Sequence, residues 1–484
     1  MTHSVSILDA IADNRLFAPW FKNRATWRVW FVFLAALFAL PMTPDQLDVY
    51  RRCTGRITSP TEPVEEAWLI CGRRAGKSFI LALCAVFSAC FRDWGPYLAP
   101  GERATIMVIA TDRKQARTII RYIRALLTRV PMLAELIERE TQDSFDLSNS
   151  VTIEVQTASY RSTRGYTIAV ALCDELAFWQ TDDAAEPDYE ILAAIKPGMA
   201  TIPGAMLLCA SSPYARRGSL FDAYRKHFGK DNDPILVWQA GTRTMNPTVP
   251  QSVIDEAMER NPAGAAAEYG AEFRRDIESF IAIEAVRACV RPGVYERAPQ
   301  YGIIYQAFCD SSGGSVDSMT LAIGHKDYAK QTVVIDALRE VRAPFSPEAV
   351  VGEFAQLLKT YRVTKIVGDR YAGEWPVEQF AKFGIRYEPS AKPKSDLYVD
   401  LVALINSRRV DLLDDTKLIN QLCALERRTA RGGRDSIDHP PGAHDDVANA
   451  VAGVATAAIN KYGNFDPTYA AFQPDFVDRD IADR

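Results

Sequence analysis

The sequence predicts an α/β chain of two domains, a mostly parallel sheet flanked by helices and then a mixed sheet with an antiparallel half. Three observations predict it. From about Glu65 to Gly241, short apolar runs (AWLICG, TIMVIAT, VTIEVQTA, IAVALCDE, AMLLCASS, ILVWQA) alternate with helical patterns, the signature of parallel strands covered by helices. Between Thr242 and Pro299 the pattern turns irregular, punctuated by Pro247, Pro250, Pro262 and Pro292, which marks a linker. From Tyr301 three strand-like runs (GIIYQAFCD, MTLAIGH, TVVIDALRE) follow one another, then a helix near Pro347 to Tyr361, the strand VTKIVGD and further short elements up to Tyr462. Consecutive strands before alternation describe a mixed sheet. The expected organisation is an N-terminal domain over residues 1–241, with a helical segment over 1–60, a linker over 242–299, a second domain over 300–462 and a loosely held tail over 463–484.

Composition narrows the class. With 484 residues, 48% of them hydrophobic and 24% charged, the chain is of the soluble globular kind and too long for one ordinary core. A net charge of -5 excludes an indiscriminately basic coat for nucleic acid, so any such contact must come from local basic patches. The nine cysteines form no CxxC pair, and Cys84, Cys90, Cys173, Cys209 and Cys309 lie in apolar runs, which points to a reducing cytoplasm and no disulfides. The uncharged stretch from Val29 to Leu40, preceded by Lys22, Arg24 and Arg28, is too short for a membrane helix of roughly 20 apolar residues. It reads as a buried or interface helix, and Trp27, Trp30, Phe31 and Phe33 also suit a surface that docks on a partner.

Asp112 is placed to cap the helix that follows TIMVIAT, with Ile119, Ile120, Ile123, Leu126 and Leu127 as its buried face. Its other face carries Arg113, Arg117, Arg121 and Arg124, which reads equally as a solvated helix face or a nucleic-acid contact.

Two constellations carry chemistry. The first is Gly72-Arg73-Arg74-Ala75-Gly76-Lys77-Ser78, which follows an apolar strand and opens an apolar helix. That is the setting of a phosphate loop, where backbone amides and a helix N-terminus meet phosphates, Lys reaches the β and γ phosphates and Ser holds magnesium. The strict pattern needs Gly at position 71, which is Cys, so the loop is a variant with Gly72 one residue late. The strand IAVALCDE then ends in Asp174, suited to the magnesium shell, and Glu175, suited to orienting an attacking water. Arg164, Arg73 and Arg74 are each placed to neutralise charge on a γ phosphate, or to serve as surface charges or DNA contacts.

The second constellation is Asp310, Asp369 and the pair Asp445-Asp446, each at a strand end or helix start. Oxygen ligands from separate elements that converge on one edge would hold two magnesium or manganese ions for in-line attack on a phosphodiester. Singly, Asp310 reads as a turn residue and Asp445 as a helix cap, and His444 as a metal neighbour or surface decoration. The run ERRTARGGR, with Arg427, Arg428, Arg431 and Arg434, reads as a loop offering phosphate contacts beside the last helix.

On these residues the chain resembles the large subunit of a tailed-phage or prophage terminase, the DNA-packaging motor, over roughly residues 40 to 460. The resemblance implies a phosphate-loop ATPase of the additional-strand type joined to a nuclease of RNase H fold. It assigns ATP to GRRAGKS, an adenine-reading role to Gln46 in the N-terminal helical segment, and nucleotide and magnesium roles to Lys77, Ser78, Asp174 and Glu175. Ser211 and Ser212 resemble the family's coupling motif, and Arg164, or neighbouring Arg161, its arginine finger. Asp310, Asp369 and the Asp445-Asp446 pair match the nuclease acids, with either of the last two open as the ligand. The implied partners are double-stranded DNA, a small terminase subunit, the portal of a procapsid and further copies of the chain in a ring. The isolated chain is expected to be monomeric, and the implied site of action is the host bacterial cytoplasm, transiently at the portal, with no membrane. Two other readings use the same residues: a phosphate-loop helicase or repair ATPase with a silent RNase H-like appendage, and a nucleotide-binding scaffold without turnover.

Overall fold

In the computed structural model, which describes residues 5–159, 165–179, 186–314, 317–369, 374–429, 435–440 and 443–460, eight strands build the first sheet. They are β1 (Glu66–Cys71), β2 (Ala104–Ala110), β3 (Ile137–Glu140), β4 (Ser144–Leu147), β5 (Val151–Thr157), β6 (Ile168–Asp174), β7 (Met206–Ser211) and β8 (Ile235–Ala240). Their order is β3-β4-β5-β2-β6-β7-β1-β8. From β5 to β8 every pairing is parallel, and β3 and β4 add an antiparallel extension. The central strands β2, β6 and β7 are buried along their whole length, as a parallel sheet covered on both faces requires. Strand β7 lies between β1 and β6, so the strand leading to Gly72 and the strand ending in Asp174 are separated by one additional strand. Being parallel, all three deliver their C-terminal ends to one edge, where ligands of such sheets bind.

Two apolar clusters cover the faces of this sheet. The Val29–Leu40 stretch belongs to the first of them. Helix Arg28–Leu37 buries Trp30, Val32, Phe33, Leu34, Ala35, Ala36 and Leu37, and Phe33 meets Trp238 of β8 edge-on at 5.4 Å. The stretch is therefore largely core: of the aromatic residues that also suited a partner, Trp30 and Phe33 are buried, and Trp27 and Phe31 are half-buried, with Trp27 packed on Phe21 and Phe79. Among the described residues no helix is long and apolar enough to cross a membrane. Helix Arg113–Thr128 is capped by Asp112, which accepts from the amides of Lys114 and Gln115, and buries the five aliphatic residues expected of it. Its opposite face, with Lys114, Arg117, Arg121 and Arg124, lines a surface cleft of about 380 Å³.

The chain divides into two units, Met1–Glu278 and Ser279–Arg484, and the short strand β9 (Ile277–Ser279) straddles the division. The stretch 242–299, set apart in the sequence as a linker, is shared between them. Helices Thr242–Met245, Gln251–Arg260 and Pro262–Glu268 lie in the first unit and Ile283–Arg287 in the second.

The second unit is built on β10 (Tyr305–Asp310), β11 (Met319–Asp327), β12 (Thr332–Val341), β13 (Lys365–Gly368), β14 (Arg386–Pro389) and β15 (Val410–Asp411), in the order β14-β13-β10-β11-β12-β15. Strands β10, β11 and β12 pair antiparallel, whereas β13 joins β10 and β14 joins β13 in parallel. Three meandering strands, with two parallel strands added beside the first, give the RNase H-like order, with β15 added beyond β12. The last helix, Asp446–Asn460, lies close on this sheet because its small residues permit it. A Cβ on Gly453 would stand 2.1 Å from the Phe308 ring, and one on Gly324 of β11 2.8 Å from Val454. The run ERRTARGGR departs from expectation. Its first half forms β16 (Glu426–Thr429), paired antiparallel with β17 (Asp435–Asp438), and Arg428 is turned back onto Glu426 and the His439 carbonyl. Arg431 and Arg434 lie outside the described residues.

Candidate active sites

The turn after β1 is held from behind at three successive carbonyls. Thr242 Oγ1 donates to Arg73 O at 2.7 Å, Asn246 Nδ2 to Arg74 O at 2.8 Å, and the buried indole of Trp30 to Ala75 O at 2.8 Å. Arg74 and Gly76 take left-handed backbone angles, φ 61° and 105°, and Gly76 opens the 15-residue helix Lys77–Phe91. A helix N-terminus entered through such a turn favours bound anions. Gly72 has its own reason to be glycine, since a Cβ there would stand 2.2 Å from Thr242 Oγ1 and 2.9 Å from the Glu268 carbonyl. The glycine one residue late in the pattern is thus fixed by the packing of the segment behind the loop.

Lys77, almost fully buried, donates through Nζ to Cys71 O (3.1 Å), Gly72 O (3.3 Å) and Ser212 Oγ (2.9 Å), and pairs with Glu175 Oε1 at 3.3 Å. Glu175, itself left-handed at φ 51°, accepts through Oε2 from the Ser212 amide at 3.1 Å and from Ser211 Oγ at 3.3 Å. Ser78 Oγ donates to Asp174 Oδ2 at 3.0 Å, and Gln115 Nε2 reaches both, at 3.0 Å and 2.8 Å. Asp174 is fully buried and its Oδ1 has no partner. Burial, with the neighbouring Glu175 charge, pushes its carboxyl up to about 6. An orphaned, buried carboxylate oxygen beside a hydroxyl at a helix N-terminus is a fitting place for a divalent cation.

In the second unit, Asp310 ends β10 and accepts from Asn449 Nδ2 at 2.7 Å. Burial, and then the charges of Asp446 and Asp369 against the opposing Asn449 bond, pushes its carboxyl up to about 8. Asp369 follows β13; its amide donates to Cys309 O, and its carbonyl accepts from the Tyr387 hydroxyl at 3.2 Å. Asp446 is raised by burial and by Asp445, and its buried Oδ2 has no partner. Asp310 and Asp446 hold onto their protons, and a buried group of this kind, with the Asp369 charge beside it, is chemically suited to a divalent cation, which would discharge it. Asp445 stands apart. Lys394 Nζ lies 2.6 Å from its Oδ2 and 2.7 Å from its Oδ1, and the Tyr398 hydroxyl donates to Oδ2 at 2.7 Å.

With this geometry in place, comparison with known proteins gives one match of family. Residues 49–229 match the model of the terminase large subunit, ATPase domain. The chain carries a terminase large-subunit ATPase domain. No curated protein matches the chain. Among solved structures, the large terminase of bacteriophage HK97 aligns over 95% of this chain and 100% of its own, at 15% identity and a TM-score of 0.41. The large terminase of another, thermophilic bacteriophage covers 86% and 99%, at 13% identity and 0.36. The large terminase nuclease of thermophilic phage G20c covers 36% and 96%, at 19% identity and 0.31. The fold assignment of the second unit rests on its strand order.

Within the terminase ATPase domain the loop residues, Lys77, Ser78, Asp174, Glu175, Ser211 and Ser212 come together as one cluster. Arg73 turns away from it to pair with Glu268 at 3.2 Å, and Arg74 is exposed. Gln46 forms a capping box with Thr43 at the start of helix Pro44–Thr54. Arg164 and Arg161 lie outside the described residues. Gln115 is the member that sequence reasoning missed; its position three residues after a capping Asp, at the edge of a sheet that ends in Asp174, is the only signal it gave. In the second unit the missed residues are Asn449, Lys394 and Tyr398. Asn449 stands three residues after Asp446 and so shares its helix face, a spacing visible in the sequence. Lys394 and Tyr398 show no pattern before folding.

Proposed function

We propose that this protein is an ATP-driven motor that moves double-stranded DNA into a procapsid and cuts it with a divalent-metal nuclease. The observation that carries the reading is the presence of two distinct acid clusters in one chain, Asp174-Glu175 at a phosphate loop and Asp310-Asp369-Asp446 on an RNase H-like sheet. In the first, Lys77 and the amides at the helix start bind the β and γ phosphates. Ser78 and Asp174, aligned by Gln115, would hold magnesium, which supplies charge neutralisation at the transferred phosphoryl group. Glu175 orients the attacking water, and its bonds to Ser211 and Ser212 tie that carboxylate to the end of β7. A change at the γ phosphate thereby moves the segment after β7, the coupling step.

In the second site Asp310, Asp369 and Asp446 would hold magnesium or manganese, which supplies an activated water and stabilises the leaving oxygen. Asp446 rather than Asp445 is the ligand of the pair, because Asp445 is occupied by Lys394 and Tyr398. The basic cleft of Lys114, Arg117 and Arg121 serves the DNA backbone, which local positive charge must meet on a chain of net charge -5. An adenine contact from Gln46, a finger from Arg164 or Arg161, a ring of copies at the portal, a small terminase subunit and action in the host cytoplasm complete the proposal.

The test is a paired assay of ATP hydrolysis and plasmid cleavage in manganese. The reading expects Lys77→Ala to lose hydrolysis alone and Asp369→Ala to lose cleavage alone. Cleavage surviving in Asp369→Ala would remove the nuclease, and hydrolysis surviving in Lys77→Ala would remove the motor.

A further inference from the structure

Lys394 is built into the acid-lined edge of the second sheet. It begins helix Lys394–Asn406, and its ammonium meets both oxygens of Asp445 (2.7 and 2.6 Å) and stands 3.6 Å from Asp438. The mount is rigid. Tyr398, one turn along the same helix, donates to Asp445 at 2.7 Å. Ser395 Oγ both donates to Ile437 O and accepts from the Ile437 amide, at 3.1 Å each, which ties the helix start to β17. The Asp445 carbonyl accepts from the Asn449 amide at 2.8 Å, and Asn449 holds Asp310 through its side chain. Despite burial, the charges of Asp445, Asp438 and Asp310 keep the ammonium protonated, and about a third of the side chain stays open to solvent, at 31% exposure.

We propose that Lys394 is a substrate-contacting residue of the nuclease, an ammonium that Asp445 and Tyr398 hold ready for a non-bridging oxygen of the scissile phosphate, and that Asp445 is its anchor and not a metal ligand. This rests on the nuclease reading above. A lysine ammonium has three donors; the two oxygens of Asp445 take two at most, and Asp438 at 3.6 Å is beyond hydrogen-bonding distance. As water attacks in line, negative charge builds on the non-bridging oxygens, and a fixed cation at that place stabilises the transition state more than the bound substrate. The lysine transfers no proton and forms no bond. Asp438, His439 and Asp445 present ligand atoms within 4.8 Å of one another, but the Lys394 ammonium already stands among them.

The experiment uses the full chain, with duplex oligonucleotide cleavage for kcat and KM and manganese binding by titration calorimetry. Lys394→Ala should lose kcat on the order of a hundredfold, the cost of one fixed transition-state donor, with KM and manganese binding as in wild type. Lys394→Arg, which keeps the charge, should recover most of the loss. Asp445→Asn should lose kcat and keep manganese, whereas Asp446→Asn should lose manganese. Unchanged manganese binding also certifies that the variants are folded. Turnover of Lys394→Ala within threefold of wild type would overturn the proposal. So would loss of manganese in Asp445→Asn, or an additional manganese in Lys394→Ala, which would make the Asp438-His439-Asp445 group a metal site that the lysine blocks. Cleavage that persists in Asp369→Ala would instead remove the nuclease reading itself, and this inference with it.

Discussion

In the first unit every acid of the site has a local partner of opposite or neutral character: Glu175 has Lys77 and the Ser211-Ser212 segment, and Asp174 has Ser78 and Gln115. In the second unit Asp310 accepts a hydrogen bond from the Asn449 side-chain amide, and the charges of Asp446 and Asp369 outweigh the opposing Lys394 ammonium. The first arrangement is assembled by protein groups and needs only to exchange partners when a nucleotide arrives. The second is electrostatically unfinished, and on the proposed reading cations would complete it. A hydrolysis site that must cycle benefits from ready internal partners, while a cutting site that depends on bound metal can be silent without it.

The largest test of this contrast is Glu175→Gln. If the Lys77-bound carboxylate orients water, phosphate release should fall on the order of a hundredfold or more while ATP still binds and cleavage in manganese continues. Turnover near wild type would show that the partnered carboxylate is structural. Next comes Gly72→Ala, which inserts a methyl 2.2 Å from Thr242 Oγ1. Overpacking of this kind costs about 1–3 kcal/mol. The expected result is a melting temperature lower by several degrees for the first unit and weakened nucleotide binding, read by calorimetry. An unchanged melting curve would mean that the segment behind the loop yields freely.

Asp310→Asn sharpens the other side. An unfolded chain releases this proton near 3.8, and the folded, metal-free protein keeps it until about pH 8. Unfolding therefore releases a proton between those limits, and wild-type stability falls as pH rises through that window. The Asn variant has no such proton, so its melting temperature in chelator should gain on wild type from about pH 4 to pH 8, by a few degrees, and run parallel above. Added manganese should reverse the order. The smallest effect is Gln115→Ala, which removes two hydrogen bonds worth about 1 kcal/mol each. The magnesium concentration for half-maximal hydrolysis should rise severalfold, with little change in the plateau rate.

What the sequence disclosed follows a physical division. Lys77, Ser78, Asp174 and Glu175 were legible because a phosphate loop and a strand end are contiguous, with chemistry set by neighbours in the chain. The six parallel strands of the first sheet were legible because burial leaves apolar runs, nearly continuous in β1, β2, β6, β7 and β8 and alternating in β5. The β3-β4 extension was not, since IERE and SFDL are short and polar and β3 is largely exposed. The linker reading took proline density for separation, yet Thr242, Asn246 and Glu268 grip the loop, a tertiary contact that composition does not encode. Likewise the choice between Asp445 and Asp446 was undecidable from two adjacent identical residues. What distinguishes them is tertiary: a lysine and a tyrosine from another helix hold Asp445, while the Oδ2 of Asp446 has no partner.

The hydrogen bond from Trp30 to Ala75 has an optical consequence. The indole nitrogen and the edge of Trp27 both lie 3.4 Å from where a side chain on Gly76 would begin, so two chromophores border the proposed phosphate loop. Nucleotide occupancy should therefore alter intrinsic emission without any attached dye, and Trp30→Phe should mute that signal. A protein that behaves so would carry its own gauge of each turnover, read from the residues that hold its loop in shape.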